Sequence, residues 1–282
     1  MTNNIEFIRK KVRKAKRKAL DMCVNAQKGH ITSALSCAEI LAVLYYGIMR
    51  IDPKYPQWEK RDRFIMSKNH ATLMQYPILA DFGFFDEEEL MTFSGGSGGE
   101  YDGTRVGSHS KLGFPGIDYA GGSLGIGLGV AAGLAYGIRE SEIDARVYCL
   151  IGDGECYEGS VWESAMFASH NKLNNLTVIL DRNQIAVTDF TEKMVRLEPL
   201  ADKWESFGFN VFEANGHSIS DLLKIFTDIR ECSDERPAII IANTIKGKGI
   251  DFLENAMFRH GIAPKPNEID KAYSSLVTEV IK

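Results

Sequence analysis

The chain has 282 residues, a formal net charge of −5 and five scattered cysteines (Cys23, Cys37, Cys149, Cys156, Cys232) with no C-x-x-C pair. A chain of this length buries roughly three quarters of its unfolded surface and needs no disulfide or metal staple. Its acidity gives no electrostatic ground for a nucleic-acid or anionic-membrane partner. No apolar run approaches ~18 residues, the polar and then basic N-terminus lacks an apolar signal segment, and an odd set of cysteines suits a reducing, cytoplasmic setting.

Residues Asn4 to Gln27 read as a helix, with Ile5, Ile8, Val12, Ala15, Ala19 and Met22 on one apolar stripe. The basic segment KKVRKAKRK within it reads as the solvated face of that helix, an anionic-surface patch being the alternative. Gly29 ends the helix and His30 follows. Ser33 or Ser36 is a candidate cap for a next helix carrying Ile40, Leu41, Leu44 and Ile48. Arg63 to Met66 reads as a short strand, and Ser67-Lys68-Asn69-His70-Ala71 leads into a helix. FSGGSGG, from Phe93 to Gly99, reads as a flexible linker or a mobile loop. The glycines at 121, 122, 125, 127 and 129 include a G-x-G-x-x-A match at Gly127, Gly129 and Ala132. It is a weak dinucleotide signal, because the glycines follow no convincing strand and small residues along a helix also serve close packing.

Val147 to Asp189 is the most informative stretch. An apolar run, Val147 to Ile151, ends in Gly152-Asp153-Gly154. A helical segment with Val161, Ala165, Phe167 and Ala168 follows, then a second run, Leu176 to Leu180, ending in Asp181-Arg182-Asn183. This is a βαβ unit, and its two polar turns belong at one edge of a parallel sheet. Asp153 and Asn183, 30 positions apart, thus come together as two hard oxygen ligands. With a backbone carbonyl they suit a small octahedral cation such as Mg²⁺ at ~2.1 Å, its shell completed by phosphate and water. Gly154 permits close approach of a diphosphate, with the next helix N-terminus as an anion site.

Further on, Asp189 to Leu200 reads as loop, Leu200 to Gly208 and Ser220 to Glu231 as helices, and Phe209 to Ala214 and Pro237 to Thr244 as strands. Lys246-Gly247-Lys248-Gly249 is either a basic turn or a fold over an anion. Asn267 to Lys282 reads as an amphipathic surface helix, while His170 and His217 read as structural. The fold class is α/β: a mostly parallel sheet with helices on both faces.

Gly152-Asp153-Gly154 with Asn183 resembles the thiamine diphosphate motif. GDGECYEGSVWESAMFASHNKLNNL, the RDRF…S-x-x-H-A segment and the P-G-x-x…G-S-L-G-x-G segment resemble transketolases, over nearly the whole chain. The resemblance implies the thiamine diphosphate-binding fold, with residues 1–282 as a single diphosphate-binding domain flanked by an N-terminal helical extension and a C-terminal helix. It implies that Asp153, Asn183 and the Ile185 carbonyl hold Mg²⁺ (or Ca²⁺ or Mn²⁺). His70, Gly122, Leu124, Gly152, Asp153, Gly154, Glu158, Asn183, Ile185 and His260 would bind the cofactor, with Leu124 against its aminopyrimidine. His30, His70, His109, His260 and Glu158 would be catalytic. Glu158 matches the family glutamate that pairs with a catalytic glutamate of a pyrimidine-binding domain; a helix-dipole role at that position is the alternative.

No aminopyrimidine half is identifiable here. The implied protein is therefore the N-terminal subunit of a split transketolase moving a two-carbon ketol unit between sugar phosphates. Its partner would be a second subunit carrying the pyrimidine-binding and C-terminal domains, in an assembly with at least two copies of each, and with no nucleic acid or membrane involved. Rival readings are a subunit of an oxo-acid dehydrogenase, disfavoured by the four histidines, and a nicotinamide-dependent oxidoreductase resting on the glycine run. The chain departs from the family pattern at Ile126 (a polar Gln or His is frequent), Ser110 (proline) and Ile31-Thr32 (Pro-Gly).

Overall fold

A computed structural model describes residues 2–95 and 106–278. Five strands form one parallel sheet: β1 (Arg63–Met66), β2 (Val147–Gly152), β3 (Leu176–Arg182), β4 (Asn210–Asn215) and β5 (Ala238–Asn243), in the order β1-β2-β3-β5-β4. The helices are α1 (Thr2–Ala26), α2 (Ile31–Ser36), α3 (Ala38–Val43), α4 (Thr72–Phe82), α5 (Ile126–Glu140), α6 (Gly159–His170), α7 (Thr191–Met194), α8 (Leu200–Ser206), α9 (Ile219–Glu231) and α10 (Ile269–Thr278).

Because strand side chains alternate, each apolar strand feeds two cores. On β2, Tyr148 and Leu150 face the core built with α1, α3, α4 and α9, while Val147, Cys149 and Ile151 face the one built with α5, α6 and α8. Both faces being covered is why β2 and β3 read as unbroken apolar runs. The α1 stripe is buried as expected, at Ile8, Val12, Ala15, Ala19 and Met22. Its basic residues do not simply face water: Lys11 and Lys14 pair with Asp81 (2.5 and 3.0 Å), and Lys14 and Lys18 with Glu87 (2.8 and 2.9 Å). Lys16 is buried against Glu39 at 2.8 Å.

Several local expectations need correction. Ser33 and Ser36 lie inside α2 and cap nothing; the α3 N-cap is Cys37, which makes no side-chain cap bond. Phe93 is fully buried rather than part of a linker, and residues 96–99 of that segment lie outside the described residues. Gly121, Gly122 and Gly125 precede α5 instead of running along it. Gly127, Gly129 and Ala132 sit within α5, not in a turn after a strand, so the dinucleotide fingerprint has no structural basis. At Gly127 a Cβ would collide with the Ser67 side chain, 2.6 Å from its Cβ, so close packing is its physical reason. The segment expected as loop before Leu200 contains the short helix α7.

The Arg61-Asp62-Arg63-Phe64 motif anchors the edge strand β1. Asp118 accepts hydrogen bonds from the Arg61 guanidinium and from Phe64 N (3.0 Å). Asp62, fully buried, accepts from Arg50 N (2.8 Å), Arg50 Nη2 (3.2 Å) and Arg146 N (2.9 Å). Asp62→Ala is expected to lower stability by about 3 kcal/mol, because two backbone N–H groups lose their acceptor. A urea titration checks this, and a loss under ~1 kcal/mol would mean that water replaces the carboxylate.

Candidate active site

The parallel β2–β3 pairing sets Gly152 opposite Asp181, so the residues after both strands emerge side by side. Asp153, 2 % exposed, is held rigidly: Oδ1 accepts from Gly154 N (2.8 Å), and Oδ2 from Gln184 N (2.5 Å) and Arg182 Nη1 (3.3 Å). Asn183 Oδ1 accepts from Ile185 N at 3.2 Å across the turn at Gln184, which has φ 64°. Burial and the nearby Asp181 carboxylate push the Asp153 carboxyl above its ordinary range. An anion so placed is one that a cation would relieve. One carboxylate, one amide oxygen and one carbonyl are a hard-oxygen donor set, which fits a Mg²⁺-like ion sharing its shell with phosphate and water.

These residues open onto a cavity of about 240 Å³, lined also by Ser33, Lys68, His70, Leu124, Gly152, Gly154, Glu155, Lys246 and His260. Two lysines give it positive charge. Lys68, buried, ion-pairs with Asp181 at the end of β3 and donates to Ser33 O (3.2 Å). Burial alone would lower the Lys68 ammonium, but Asp181 overrides this and holds it above its usual value. Asp181 also accepts from Ser36 Oγ (2.5 Å) and from the Thr244 hydroxyl. Lys246 Nζ donates to Ile185 O at 3.0 Å, and burial together with the Lys68 charge brings its pKa down to about 8.

Four histidines distant in sequence converge beside this cavity. Ring centroids lie 4.8 Å apart for His30 and His260, 5.0 Å for His70 and His260, 5.3 Å for His30 and His70, and 5.9 Å for His30 and His109. All are held neutral at pH 7. Burial, then the repulsion a proton on His30 would meet from a protonated His109 and from Lys246, lower His30 to about 4. Burial, then Lys246, His30 and Lys68, lower His260 to about 3. Burial likewise lowers His70 and His109. Ser33 Oγ lies 3.4 Å from His260 Nδ1, and His30 Nδ1 has no hydrogen-bond partner among the described residues. The Ser110 departure has a clear use. Ser110 N donates to Asn69 Oδ1 (2.7 Å), which a proline cannot do, and Ser110 Oγ accepts from Asn69 Nδ2 (2.7 Å), fixing the chain beside His109.

The structure therefore brings His70, Leu124, Gly152, Asp153, Gly154, Asn183, Ile185 and His260 to one cavity, with His30 and His109 packed edge-to-face at its side. Two expected residues lie apart. Gly122 neighbours His109, and Glu158 sits exposed at the α6 N-terminus, beside Gly125. The Gly154 N–H is already engaged by Asp153. Sequence reasoning missed Glu155, 1 % exposed, which accepts from Gly125 N (2.8 Å), Gly152 N (3.1 Å) and Ser67 Oγ. It also missed Arg182, whose guanidinium reaches Asp153, Thr191 (2.7 Å) and Glu198 (2.8 Å). Neither has a local signal, since their partners are set by the fold.

Residues 8–279 match the family model of the transketolase thiamine diphosphate binding domain. The chain is 35% identical over 279 residues to one of the subunits of the apulose-4-phosphate transketolase of Phocaeicola vulgatus, covering 99% of this chain and 96% of that one. It is 37% identical to 6-deoxy-6-sulfo-D-fructose transketolase subunit SqwG of Clostridium sp., covering 83% of each. The transketolase structure from Campylobacter jejuni superposes with a TM-score of 0.89 at 29% identity over 97% of this chain, which spans 43% of that protein. The chain spans 40% of the human transketolase it matches at 38% identity. The parallel sheet, the paired turns after β2 and β3 and these matches together place this chain in the transketolase family, as its thiamine diphosphate binding domain.

Proposed function

We propose that the chain is the N-terminal subunit of a cytoplasmic, thiamine diphosphate- and Mg²⁺-dependent transketolase that moves a two-carbon ketol unit from a ketose phosphate to an aldose. The whole chain acts as one diphosphate-binding domain. The observation that carries this reading is the convergence of four neutral histidines on the cavity that holds Asp153, Asn183 and Ile185. An oxo-acid dehydrogenase has no polyol to hydrogen-bond and gives no reason for them.

In this reading Asp153, Asn183 and the Ile185 carbonyl would hold the metal. Lys246 and Lys68 set a positive field on the diphosphate side, and Gly152, Gly154 and His70 border the same space. When bound, the cofactor supplies the electron sink for carbon–carbon cleavage. His30, His70, His109 and His260, being neutral, each present one donor and one acceptor nitrogen, so they can both receive and return the protons of sugar hydroxyls and carbonyls. Leu124 offers an apolar side to the aminopyrimidine.

A second polypeptide supplies the rest of the cofactor site in this proposal, in a heterotetramer. Support comes from two relatives named as subunits and from the apolar side chains left exposed on α5 and α6: Ile126, Tyr136, Met166 and Phe167. The Tyr136 and Phe167 rings lie 5.8 Å apart, a ready aromatic patch. Glu158, exposed at the α6 N-terminus beside Gly125, would meet a partner's carboxyl group in this reading.

Asp153→Ala is expected to weaken metal binding by more than the ~10–100-fold typical of losing an outer-shell group, and to abolish turnover of the assembled enzyme. Calorimetric titration with Mg²⁺ and the cofactor checks it; unchanged affinity and activity would sink the metal assignment. The purified chain with thiamine diphosphate and Mg²⁺ should show no ketol transfer until its partner is added. Full turnover alone would show that the split-subunit reading is wrong.

Acid should destabilise the fold. With His30 lowered from 6.5 to about 4, the unfolded chain binds more protons than the folded one between those values, so stability falls as pH falls through that window. Urea midpoints measured from about pH 7.5 to about pH 4.5 test this. Replacing His30 and His260 by Gln should flatten the decline, and an unaltered slope would exclude these histidines as its source.

A further inference from the structure

We propose that His217, outside the cavity and without a part in the chemistry above, is a positioning residue that holds Lys246 over the diphosphate end of the site. The proposal rests on the reading that Lys246 faces a diphosphate.

His217 lies in the turn between β4 and α9. Its Nε2 accepts the backbone N–H of Ile245 at 2.8 Å, and its Nδ1 lies 2.9 Å from Glu39 Oε2. A backbone N–H can only donate, so Nε2 must carry a lone pair and the ring proton must sit on Nδ1, donated to Glu39. Glu39 is kept anionic for that task. Burial would raise its carboxyl, but Lys16 at 2.8 Å, together with His217, brings it down to about 2. Lys16 on α1 and Glu39 on α3 are 2 % and 7 % exposed. Two buried charges from two helices thus fix the tautomer of one imidazole, which in turn fixes one backbone N–H.

That N–H belongs to the residue before Lys246. On the other side Gly247 N donates to Thr32 O at 2.9 Å; its φ is 83°, and a Cβ there would collide with the Leu253 carbonyl. Lys246 is held between these two anchors, its ammonium on Ile185 O. If His217 released Ile245, the N-terminal side of the lysine's backbone would lose its side-chain anchor, while Lys246 O would still accept from Asn255 N at 2.8 Å. Part of the binding free energy would then be consumed in ordering its side chain.

The test pairs two amides with a direct observation of the ring. Gln places its oxygen where Nε2 sits and can still accept from Ile245. Asn reaches only the Nδ1 position, toward Glu39. Calorimetry of the assembled enzyme with thiamine diphosphate and Mg²⁺ should show about tenfold weaker binding for His217→Asn, as one lost buried hydrogen bond allows, and near-normal binding for His217→Gln. Combined with Lys246→Met, His217→Asn should add no further loss. Long-range ¹H–¹⁵N correlation spectra of the full wild-type chain should show His217 with its proton on Nδ1. A proton on Nε2, normal affinity in His217→Asn beside a weakened Lys246→Met, or equal and additive losses in both amide variants would each overturn the proposal. Unchanged affinity in Lys246→Met would instead overturn the assignment of Lys246 to the diphosphate, and the proposal with it.

Discussion

The buried ion pair between Lys68 and Asp181 governs most of what this site can do. Removing two charges from water costs several kcal/mol per ion unless each is fully paired and hydrogen-bonded. Asp181 meets that condition through Lys68, Ser36 and Thr244, and so draws the loop after β1, helix α2, the end of β3 and the loop after β5 to one point. The pair also sets the electrostatics around it. Because Asp181 keeps Lys68 charged, Lys68 in turn disfavours positive charge on Lys246, His70 and His260. A scaffold interaction thus helps to keep the histidines neutral.

The part of the architecture controlled by local pattern is legible in the chain itself. Apolar runs bounded by glycine and aspartate form β2 and β3, and parallel pairing puts Asp153 and Asn183 on one edge. That inference works because strand direction and the crossover rule leave a single arrangement. Residues whose meaning depends on distant partners are opaque. Lys68 and Asp181 are 113 positions apart, Ser67 and Glu155 are 88 apart, and Glu39 and His217 are 178 apart. Composition and spacing do not bring such groups together; only the completed topology does. Ser33 and Ser36 show the same limit. Their cap-like position is visible in the sequence, but the pull of Asp181 and His260 on their hydroxyls is not.

The basic segment of α1 carries more structure than its composition suggests, for a related reason. A run of lysines on an acidic chain reads as a solvated face, yet Asp81 and Glu87 from later elements collect three of them, and Lys16 is buried altogether. Exposed pairs of this kind contribute little each, ~0–1 kcal/mol. The buried Lys16–Glu39 pair differs in kind, because removing either partner would leave a charge without a counterpart.

Helix α5 is a mechanical element as well as a wall of the core. Gly127 leaves no room between the helix and Ser67, the neighbour of Lys68, and Ser67 is tied to Glu155. There is no slack at this contact, so the helix cannot shift inward by the width of a methyl group without moving the loop that carries the site's central charge. The outer side of the same helix bears Ile126 and Tyr136, both open to solvent in the single chain. Helix and loop thus meet with no spare volume one residue away from the lysine, so the outer face of α5 and the buried charge sit on two sides of a single close contact.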